Sequence, residues 1–320
     1  MRLAIVKLSA LGDIVHAMVV LQYIKKYDKN ITIDWFVEER FSGILENNPQ
    51  ISNIYKLKLK NNKLNFLSEY KKLKQLSQQN CYDFVIDLQG LIKSAIVSRI
   101  LCKDVIGFDK IGLREPAASL FYTKKFNIPY EENVIERNIK LVSCALAFSM
   151  PDLEKKVPFL FSNIKSVFYP RLLIITGSSW ESKVYPKEHF ISIIKALNVE
   201  TFVSWGNEKE KKDAEFICQN SEAKMLPKLS LDELKSVISN SNLVIGADSG
   251  PTHMAWALNR PSITIFGPTP SERNMLQTDK NKSINCNKDI DAKALNKNDF
   301  CIREIDPKKI VEIAKDLLEC

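Results

Sequence analysis

A carboxylate stands at the end of the first apolar run of the chain, where a strand gives way to a helix. The run Leu3–Leu8 leads into Ser9–Asp13, and a helical pattern opens at Ile14. Gly12 permits a tight turn, whose backbone amides could receive an anionic group. Spacing leaves two interpretations of Asp13: it caps the helix, or it accepts a proton from an attacking alcohol. A dehydrogenase-type dinucleotide site is unsupported, because the pattern G-x-G-x-x-G is missing.

A second turn, Asp248–His253, has the composition of a diphosphate-binding helix start. It follows the run Leu243–Ala247, and Pro251 is expected at the first helical position. The helix dipole favours a diphosphate at the outward-pointing amides of this turn. We expect those amides to belong to Gly250, Thr252 and His253. The His253 ring could donate a further hydrogen bond to the ligand, or it could have only a structural role. Asp248 is expected to cap the turn or contact a sugar hydroxyl.

The loop Thr176–Lys183 follows another apolar run and is rich in small hydroxyl side chains. Such a loop suits a phosphate, and Lys183 could neutralise charge on a departing diphosphate. A surface loop with a solvated lysine is the alternative. Glu210 lies early in the helical pattern after Trp205. Its carboxylate could hold both hydroxyls of a ribose, or it could be an acid favoured by a helix N-terminus.

A metal centre is poorly supported by the sequence. Asp289-Ile290-Asp291 spells D-x-D, but it lies in a stretch rich in lysine and asparagine with no strand before it. The three histidines, His16, His189 and His253, have no ligand spacing. We therefore expect chemistry that requires no metal, with at most weak stimulation by Mg²⁺.

Apolar runs alternate with helical patterns through both halves, which predicts two parallel sheets covered by helices. The predicted strands are Leu3–Leu8, Ile31–Val37, Phe84–Leu88, Leu172–Thr176, Thr201–Trp205, Leu243–Ala247 and Ser262–Phe266. The predicted helices lie near Ile14–Lys26, Leu64–Gln78, Leu91–Leu101, Lys187–Leu197, Glu208–Gln219, Leu231–Ser239 and Pro251–Leu258. Ligands of such sheets bind beyond the carboxyl ends of the strands. Two doubly wound domains facing each other would form a cleft with one substrate on each wall.

The pattern restarts after Pro151, so we expect a hinge within 151–170. The first domain is predicted over residues 1–160 and the second over 161–305. The last segment, 306–320, contains an amphipathic helical pattern over Pro307–Cys320, which we expect to pack back across the junction.

The composition is that of a globular protein, with 320 residues of which 45% are apolar and 26% charged. No apolar run approaches the roughly 18 residues of a membrane span. Met1–Leu8 has the pattern of a buried strand rather than of a secretory signal. Seven cysteines, scattered from Cys81 to Cys320 without a C-x-x-C pair, predict reduced thiols in a cytoplasmic protein.

The net charge of +8 is concentrated in the first half, with +7 in residues 1–160 and +1 in the remainder. The first half contains a lysine cluster, which consists of Lys56, Lys58, Lys60, Lys63, Lys71, Lys72 and Lys74. This asymmetry predicts an anionic partner for the first domain, with a merely solvated surface as the alternative. Nucleic acid is poorly supported, because the cluster lacks interleaved aromatic residues and no nucleic-acid motif is present.

Taken together, these segments resemble the ADP-heptose:lipopolysaccharide heptosyltransferases, glycosyltransferase family 9, and their type I members in particular. The likeness runs along nearly the whole chain. The segments that carry it are Val6–His16, Asp34–Glu39, Val85–Ser94, Arg114–Tyr122, Leu226–Leu231, Asp248–His253 and Arg260–Thr269. Each one is weakly specific, but their joint order and spacing identify the family.

The resemblance implies a GT-B fold and an inverting transfer of heptose from ADP-heptose to a Kdo residue of Kdo-lipid A. It makes Asp13 the general base, Lys183 the group that stabilises the leaving ADP, and Glu210 the ribose ligand. The implied donor site consists of Ser178, Ser179, Lys183, Glu210, Lys228, Leu229, Asp248, Ser249, Gly250 and His253, with Lys228 and Leu229 meeting the adenine. The implied acceptor site on the first domain consists of Ser9, Gly12, Gln89, Lys93, Arg114 and Arg137.

The implied partners are ADP-heptose and Kdo-lipid A, without nucleic acid. The implied protein is a cytoplasmic monomer in peripheral contact with the anionic surface of the inner membrane. Heptosyltransferase II or another ADP-heptose transferase is an alternative. A non-catalytic nucleotide-sugar-binding module is a second, although the presence of both Asp13 and Lys183 argues against it. A nucleic-acid-binding protein is a third.

Overall fold

The computed structural model describes residues 1–59, 63–286 and 289–319, without the side chains of residues 63–67. Lys60, the Lys63 side chain and Cys320, which belong to the lysine cluster and the cysteine set above, lie outside the described residues. The chain divides into two units, Met1–Phe159 and Leu160–Cys320. The boundary lies within the segment in which the prolines predict a hinge.

The first unit is a parallel sheet of six strands with helices between them. Its strands are β1 (Arg2–Val6), β2 (Thr32–Glu38), β3 (Asn53–Leu57), β4 (Phe84–Asp87), β5 (Val105–Phe108) and β6 (Lys124–Phe126). Its helices are α1 (Leu11–Met18), α2 (Val20–Tyr27), α3 (Lys63–Asn80), α4 (Ile92–Leu101) and α5 (Val134–Leu146). The order across the sheet is β3-β2-β1-β4-β5-β6, so the chain reverses its direction of travel between β1 and β4. This is the strand order of a Rossmann fold.

The second unit repeats this architecture. Its strands are β7 (Leu172–Ile175), β8 (Thr201–Ser204), β9 (Lys224–Met225), β10 (Leu243–Ala247), β11 (Ser262–Phe266) and β12 (Asn281–Asn285). Its helices are α6 (Lys187–Leu197), α7 (Glu208–Gln219), α8 (Leu231–Ser239), α9 (Gly250–Ala257), α10 (Ser271–Asn274) and α11 (Pro307–Glu319). The order is β12-β11-β10-β7-β8-β9, which is again the Rossmann order when the strands are counted from β7. Its reversal point lies between β7 and β10.

Burial explains which strands the sequence pattern revealed. Leu3–Val6 of β1 and Leu243–Val244 of β10 are fully buried, because helices cover both faces of a parallel sheet. The strands that the pattern missed include the polar edge strand β9, which is exposed, and the lysine-rich β6. The predicted α/β class with two doubly wound sheets is confirmed.

One helical prediction differs from the structure. The helix predicted near Ile14–Lys26 is divided at Val19 into α1 and α2, although the Val19 backbone itself is helical. Packing of α11 back across the junction stays a prediction; within its own unit this helix contacts α6, β11 and β10. Its buried residues Ile310, Ala314 and Leu317 join the core of the second unit.

The cysteine prediction needs correction at one pair. Cys286, just after β12, and Cys301, at the start of a 3₁₀ helix, form a disulfide with Cα atoms 5.9 Å apart. They are 15 residues apart in sequence, and the fold brings their backbones within bridging distance. Among the described residues, Cys81, Cys102, Cys144 and Cys218 are free.

Candidate active site

The proposed base lies in the first turn of α1, directly after the loop that leaves β1 at the reversal point of the first sheet. Ala10 is the N-cap of α1, and Asp13 occupies the third helical position. Asp13 is therefore not the cap, as one interpretation had it; instead its Oδ2 accepts a hydrogen bond from the Ala10 amide at 3.1 Å. Within the described residues of this unit, the Ala10 amide is the only group that donates a hydrogen bond to the Asp13 carboxylate, which is half-buried.

The loop after β4 is bonded to the loop after β1. The Gln89 Oε1 accepts the amides of Leu8 and Ser9 at 3.0 and 3.1 Å. Gln89 is itself held because its amide donates to the buried Asp87 carboxylate at 2.8 Å. The Asp87 carboxylate also accepts the Gly90 amide and the hydroxyls of Ser94 and Tyr122. Burial raises the pKa of Asp87 although all four hydrogen bonds oppose that shift.

The predicted cationic acceptor residues have different surroundings. Lys93 forms an ion pair of 3.1 Å with the buried Glu38, which also pairs with Arg40. Arg114 is exposed, and the structure gives it no ion-pair partner among the described residues. Arg137 is buried: its guanidinium stacks on Phe108, with the guanidinium carbon 4.4 Å from the ring centroid, and donates to the Gly112 carbonyl.

These contacts give Arg137 a structural role, and its place in the acceptor site stays a prediction. Of the predicted acceptor residues other than Arg114 and Arg137, Ser9 lies on the loop after β1 and Gly12 in the first turn of α1. Gln89 and Lys93 lie on the loop and helix after β4. All four belong to the carboxyl edge of adjacent strands, where the Rossmann order predicts ligand binding.

A buried ionic network lies at the reversal point of the second sheet. The Lys183 Nζ is 2.7 Å from the Asp248 Oδ2, and both side chains are less than 10% exposed. The His253 Nε2 lies 2.8 Å from the other oxygen, Oδ1, and the Thr269 hydroxyl donates to Oδ2 at 2.7 Å. The Lys183 ammonium also lies 5.4 Å from the centre of the Trp180 ring. Loops from three adjacent strands, β7, β10 and β11, therefore meet at Asp248.

Asp248 was expected to cap the turn or to contact a sugar hydroxyl; the cap is Ser249 instead, and the sugar contact stays a prediction. Burial alone would raise the pKa of its carboxyl, but the Lys183 charge and the hydrogen bond with His253 hold that pKa well below its ordinary range. Asp248 thus remains ionised and orients both basic side chains. The charge of Lys183 is balanced rather than fully available to a ligand.

The N-terminus of α9 lies beside this network. Ser249 is the N-cap, Gly250 the first helical residue and Pro251 the second. The expectation of an outward His253 amide was wrong, because that amide donates to the Ser249 carbonyl at 3.1 Å. Among the described residues, no acceptor is present for the amides of Gly250 and Thr252. Two amides rather than three are therefore available to an anion.

The hydroxyl of Ser178 links the neighbouring loop to this helix start. It donates to the Asp248 carbonyl at 3.0 Å. Ser179, the next residue, is exposed. The two serines and α9 thus approach the same edge of the sheet from β7 and β10.

Glu210 lies close to the backbone of the loop after β7. It occupies the third position of α7, whose N-cap is Asn207, and its Oε2 accepts the Gly206 amide at 2.7 Å. A Cβ atom at Gly177 would overlap the Glu210 carboxylate. Gly177 is therefore glycine because the carboxylate lies directly over its backbone. This packing places Glu210 beside the Thr176–Lys183 loop.

The predicted adenine-facing residues follow β9. Lys228 is exposed and Leu229 half-buried, and both precede the Ser230 cap of α8. The Trp205 indole donates to the Leu226 carbonyl at 2.8 Å, which joins this loop to the one after β8. All ten predicted donor residues thus lie on loops or helix starts after four neighbouring strands, in the order β10, β7, β8 and β9.

The sequence reasoning missed two residues of this edge, Thr269 and Asn207, and the side-chain contact of a third, Thr252. Thr269 bonds Asp248, Asn207 caps α7 beside Glu210, and the buried Thr252 hydroxyl lies 3.0 Å from that of Ser249. A signal was present for Thr269, because it follows the predicted strand Ser262–Phe266.

The described residues contain no group of three or more His, Cys, Asp or Glu side chains arranged to hold a metal ion. Among them there is also no helix whose length and apolar character would let it cross a membrane.

Comparison with known proteins identifies the family. Residues 70–301 match the family model described as glycosyltransferase family 9 (heptosyltransferase), and this range covers more than two thirds of the chain. The chain belongs to glycosyltransferase family 9. The enzyme class expected from the sequence, a glycosyltransferase, is thereby confirmed.

Curated relatives of this chain match along most or nearly all of their length. Lipopolysaccharide heptosyltransferase 1 of Campylobacter coli is 43% identical, and the match covers 99% of each chain. Lipopolysaccharide heptosyltransferase 1 of Escherichia coli K12 is 29% identical over 84% of this chain and 88% of its own.

Solved structures agree with the fold of this family 9 chain. Escherichia coli heptosyltransferase WaaC with ADP superposes with a TM-score of 0.85 over 99% of this chain and 100% of that one, at 24% identity. At that identity the likeness concerns the fold alone. The predicted GT-B class is thereby confirmed.

Proposed function

We propose that this chain transfers L-glycero-D-manno-heptose from ADP-heptose to a Kdo residue of Kdo-lipid A, with inversion at the anomeric carbon. The observation that carries the proposal is the full-length, 43% identical match to lipopolysaccharide heptosyltransferase 1 of Campylobacter coli. The geometry supports it, since each reversal point carries one half of the required chemistry. The first unit would bind the acceptor and the second the donor.

On the acceptor side, Asp13 would take the proton from the attacking Kdo hydroxyl. The hydroxyl oxygen then bonds to the anomeric carbon of the heptose, the bond from that carbon to the β-phosphate oxygen breaks, and its electron pair leaves with ADP. The Ala10 amide holds one oxygen of Asp13, and the half-buried carboxylate has another to offer. The loop is kept in place by Gln89.

On the donor side, the leaving diphosphate would meet the amides of Gly250 and Thr252 at the start of α9. Lys183 would donate to it from beside Asp248, since an ammonium has three hydrogens and the ion pair uses one. Such preorganised donors lower the barrier most where charge develops, which here is the leaving ADP. Asp248 would hold Lys183 and His253 in place for this contact.

The remaining contacts with the sugar nucleotide would come from residues that follow β8 and β9. Glu210 would accept hydrogen bonds from the ribose hydroxyls, and the backbone of Lys228 and Leu229 would meet adenine. Solved WaaC structures contain ADP and ADP-2-deoxy-2-fluoro heptose. This agrees with an adenosine-diphosphate donor for the chain studied here.

The test is mass spectrometry of Kdo-lipid A after incubation with the purified chain and ADP-heptose. We expect the acceptor mass to rise by one heptosyl unit, with release of ADP, and turnover to persist in EDTA. Asp13→Asn is the matched control and should leave the acceptor unchanged over the same time.

Two results would contradict the proposal in different ways. Transfer only to an acceptor that already carries a heptose would assign the chain to a different step, as for a heptosyltransferase II. Binding of ADP-heptose without transfer to either acceptor would make it a binding module.

A further inference from the structure

Two cysteines fix a short segment of the second unit to the edge of its sheet. Cys286 directly follows the edge strand β12, and Cys301 opens the 3₁₀ helix Cys301–Glu304. Their Cα atoms are 5.9 Å apart, a separation that a disulfide spans without movement of the backbone. Residues 301–305, which the bridge joins to the end of β12, are called the tethered segment below.

The tethered segment holds the chain on both sides of Lys183. A Cβ atom at Gly267 would lie 2.8 Å from the Ile302 Cβ and 3.4 Å from the Ser182 carbonyl oxygen, so these three residues meet at one point. The buried Tyr185 hydroxyl donates to the Ile305 carbonyl at 2.8 Å. Because Ser182 directly precedes Lys183 and Tyr185 follows it by two residues, the position of the Lys183 backbone depends on where the tethered segment lies.

The stretch of chain between the two cysteines makes a second contact with the same site. The Lys297 Nζ lies 4.9 Å from the centre of the Trp180 ring, and the Lys183 Nζ lies 5.4 Å from that centre. A cation within about 6 Å of an aromatic ring is attracted to its face. Trp180 is therefore held in part by a residue of the loop that the bridge closes, and Lys183 rests on the same ring.

The two sulfur atoms differ in their access to solvent. Cys301 is 1% exposed, whereas Cys286 is half-buried and lines a cavity of about 470 Å³. A volume of roughly 300–1,000 Å³ is usual for pockets that bind small molecules. Ser283, Glu304 and Lys309 also line this cavity, so it offers a hydroxyl and charges of both signs. It suits a small thiol that itself carries both charges, such as an amino-acid or peptide thiol.

We propose that Cys286 and Cys301 form a reversible redox site, at which a small thiol opens the bridge through Cys286 and thereby loosens the hold on Lys183. The incoming thiolate attacks the Cys286 sulfur, the bond between the two protein sulfurs breaks, and Cys301 leaves as a thiolate. A second small thiol attacks the resulting mixed disulfide, which frees Cys286 and releases a small disulfide. The protein gains two electrons, and the small thiols supply the two protons that its thiolates take up. The freed Cys286 has an acceptor, since its sulfur lies 3.5 Å from the Gly267 carbonyl oxygen.

The first test follows the thiols of the full chain in buffers of reduced and oxidised glutathione, with alkylation and peptide mass spectrometry. Cys286 and Cys301 should be protected together in oxidising buffer and alkylated together in reducing buffer. Cys301→Ser should accumulate a glutathione adduct at Cys286, whereas Cys286→Ser should leave the buried Cys301 without one. The matched control is Cys218→Ser, which removes a free, half-buried cysteine of the same unit and should respond as wild type does.

The second test measures what the bridge does to the site. At saturating substrates, wild-type kcat should be about tenfold lower in reducing than in oxidising buffer, since displacement of a catalytic group by about 1 Å can cost on the order of 10²-fold. ADP affinity, measured by titration calorimetry, should fall in the same direction. Cys286→Ser should have the lower kcat in both buffers, and Cys218→Ser should change with the buffer as wild type does. Circular dichroism of each variant checks that the fold is retained.

Three results would overturn the proposal. They are equal alkylation of Cys286 and Cys301 in both buffers, adduct formation at Cys301 rather than Cys286, and wild-type kcat and ADP affinity that do not change with the buffer. The effect on kcat rests on the proposed function, whereas thiol exchange at Cys286 does not. A chain that transfers no heptose in either buffer, but whose thiol protection and ADP affinity still follow the buffer, would refute the proposed function and leave the redox site established.

Discussion

Replacing Asp248 by asparagine tests the ionic network at the centre of the second unit. Asparagine has the same shape but no charge, so the buried Lys183 ammonium loses its partner at 2.7 Å and His253 loses an ionised acceptor. Removing one partner of a buried ion pair costs about 3–5 kcal/mol, because the other charge stays desolvated and uncompensated. For a unit of this size that corresponds to a fall in Tm of about 6–20 °C.

Tryptophan fluorescence is a suitable assay, because three of the four tryptophans, Trp180, Trp205 and Trp256, lie in the second unit. Denaturant unfolding should be measured for wild type, Asp248→Asn, Lys183→Met and the double variant. We expect the double variant to lose less unfolding free energy than the two single variants lose together, because it leaves no unpaired charge. The control is Asp279→Asn, at an exposed position of the same unit, which should change stability by less than about 0.5 kcal/mol.

The effect of Asp248→Asn should also depend on pH in a defined direction. The pKa of Asp248 in the folded protein is lowered from its ordinary value of 3.8. Its ionised form therefore stabilises the fold fully above that value, and this stabilisation is lost as pH falls towards the folded pKa. The difference in unfolding free energy between wild type and variant should therefore become smaller below about pH 4. Two results would refute this: Asp248→Asn unfolds at the wild-type denaturant concentration at pH 7, or the stability loss of the double variant equals the sum of the two single losses.

Three further predictions follow from the site and from one buried lysine. Asp13→Ala should lower turnover about 10²–10⁴-fold while ADP affinity stays within about twofold, as titration calorimetry would measure. Gly177→Ala should weaken ADP affinity at least tenfold in the same assay, because its methyl group would displace the Glu210 carboxylate. Lys156→Met should raise the free energy of unfolding at pH 7 by at most about 3 kcal/mol, since burial lowers the pKa of Lys156 to about 8 and the variant also loses the contact of the ammonium with the Phe159 ring. That gain should shrink as pH rises from 8 to 10.5, where the unfolded chain binds more protons than the folded one.

Each of these has a contrary outcome. Full turnover of Asp13→Ala at saturating substrates would remove the base assignment. Wild-type ADP affinity in Gly177→Ala would show that Glu210 does not contact the donor, with Gly206→Ala as the milder control because its added methyl would sit farther from the carboxylate. A pH-independent effect of Lys156→Met would mean that packing rather than charge sets its stability.

Much of the fold was accessible from the sequence because buried parallel strands are continuous apolar runs. Ile174 and Ile245 belong to such runs, and their adjacency follows from the Rossmann order. Edge strands escaped detection because one side faces solvent and their residues are polar, as Lys124 in β6 and Lys224 in β9 illustrate. Short strands of two or three residues also carry too little periodicity to be recognised.

The site was predictable as a set of residues but not as a set of contacts. Lys183 and Asp248 each follow a predicted strand, yet their pairing depends on β7 and β10 being neighbours in the sheet. The overlap of Gly177 with Glu210 likewise depends on β7 lying beside β8. The burial of Arg137 could not be predicted from the sequence, because the pattern did not reveal helix α5, to which this residue belongs.

Every residue proposed to recognise the sugar nucleotide belongs to Leu160–Cys320, and every residue proposed for the acceptor to Met1–Phe159. On this proposal, the specificities for donor and acceptor would be encoded in separate, contiguous stretches of the gene. Recombination near codon 160 could exchange one specificity without altering the other. Diversification of acceptors within such a lineage would then require substitutions in only half of the polypeptide.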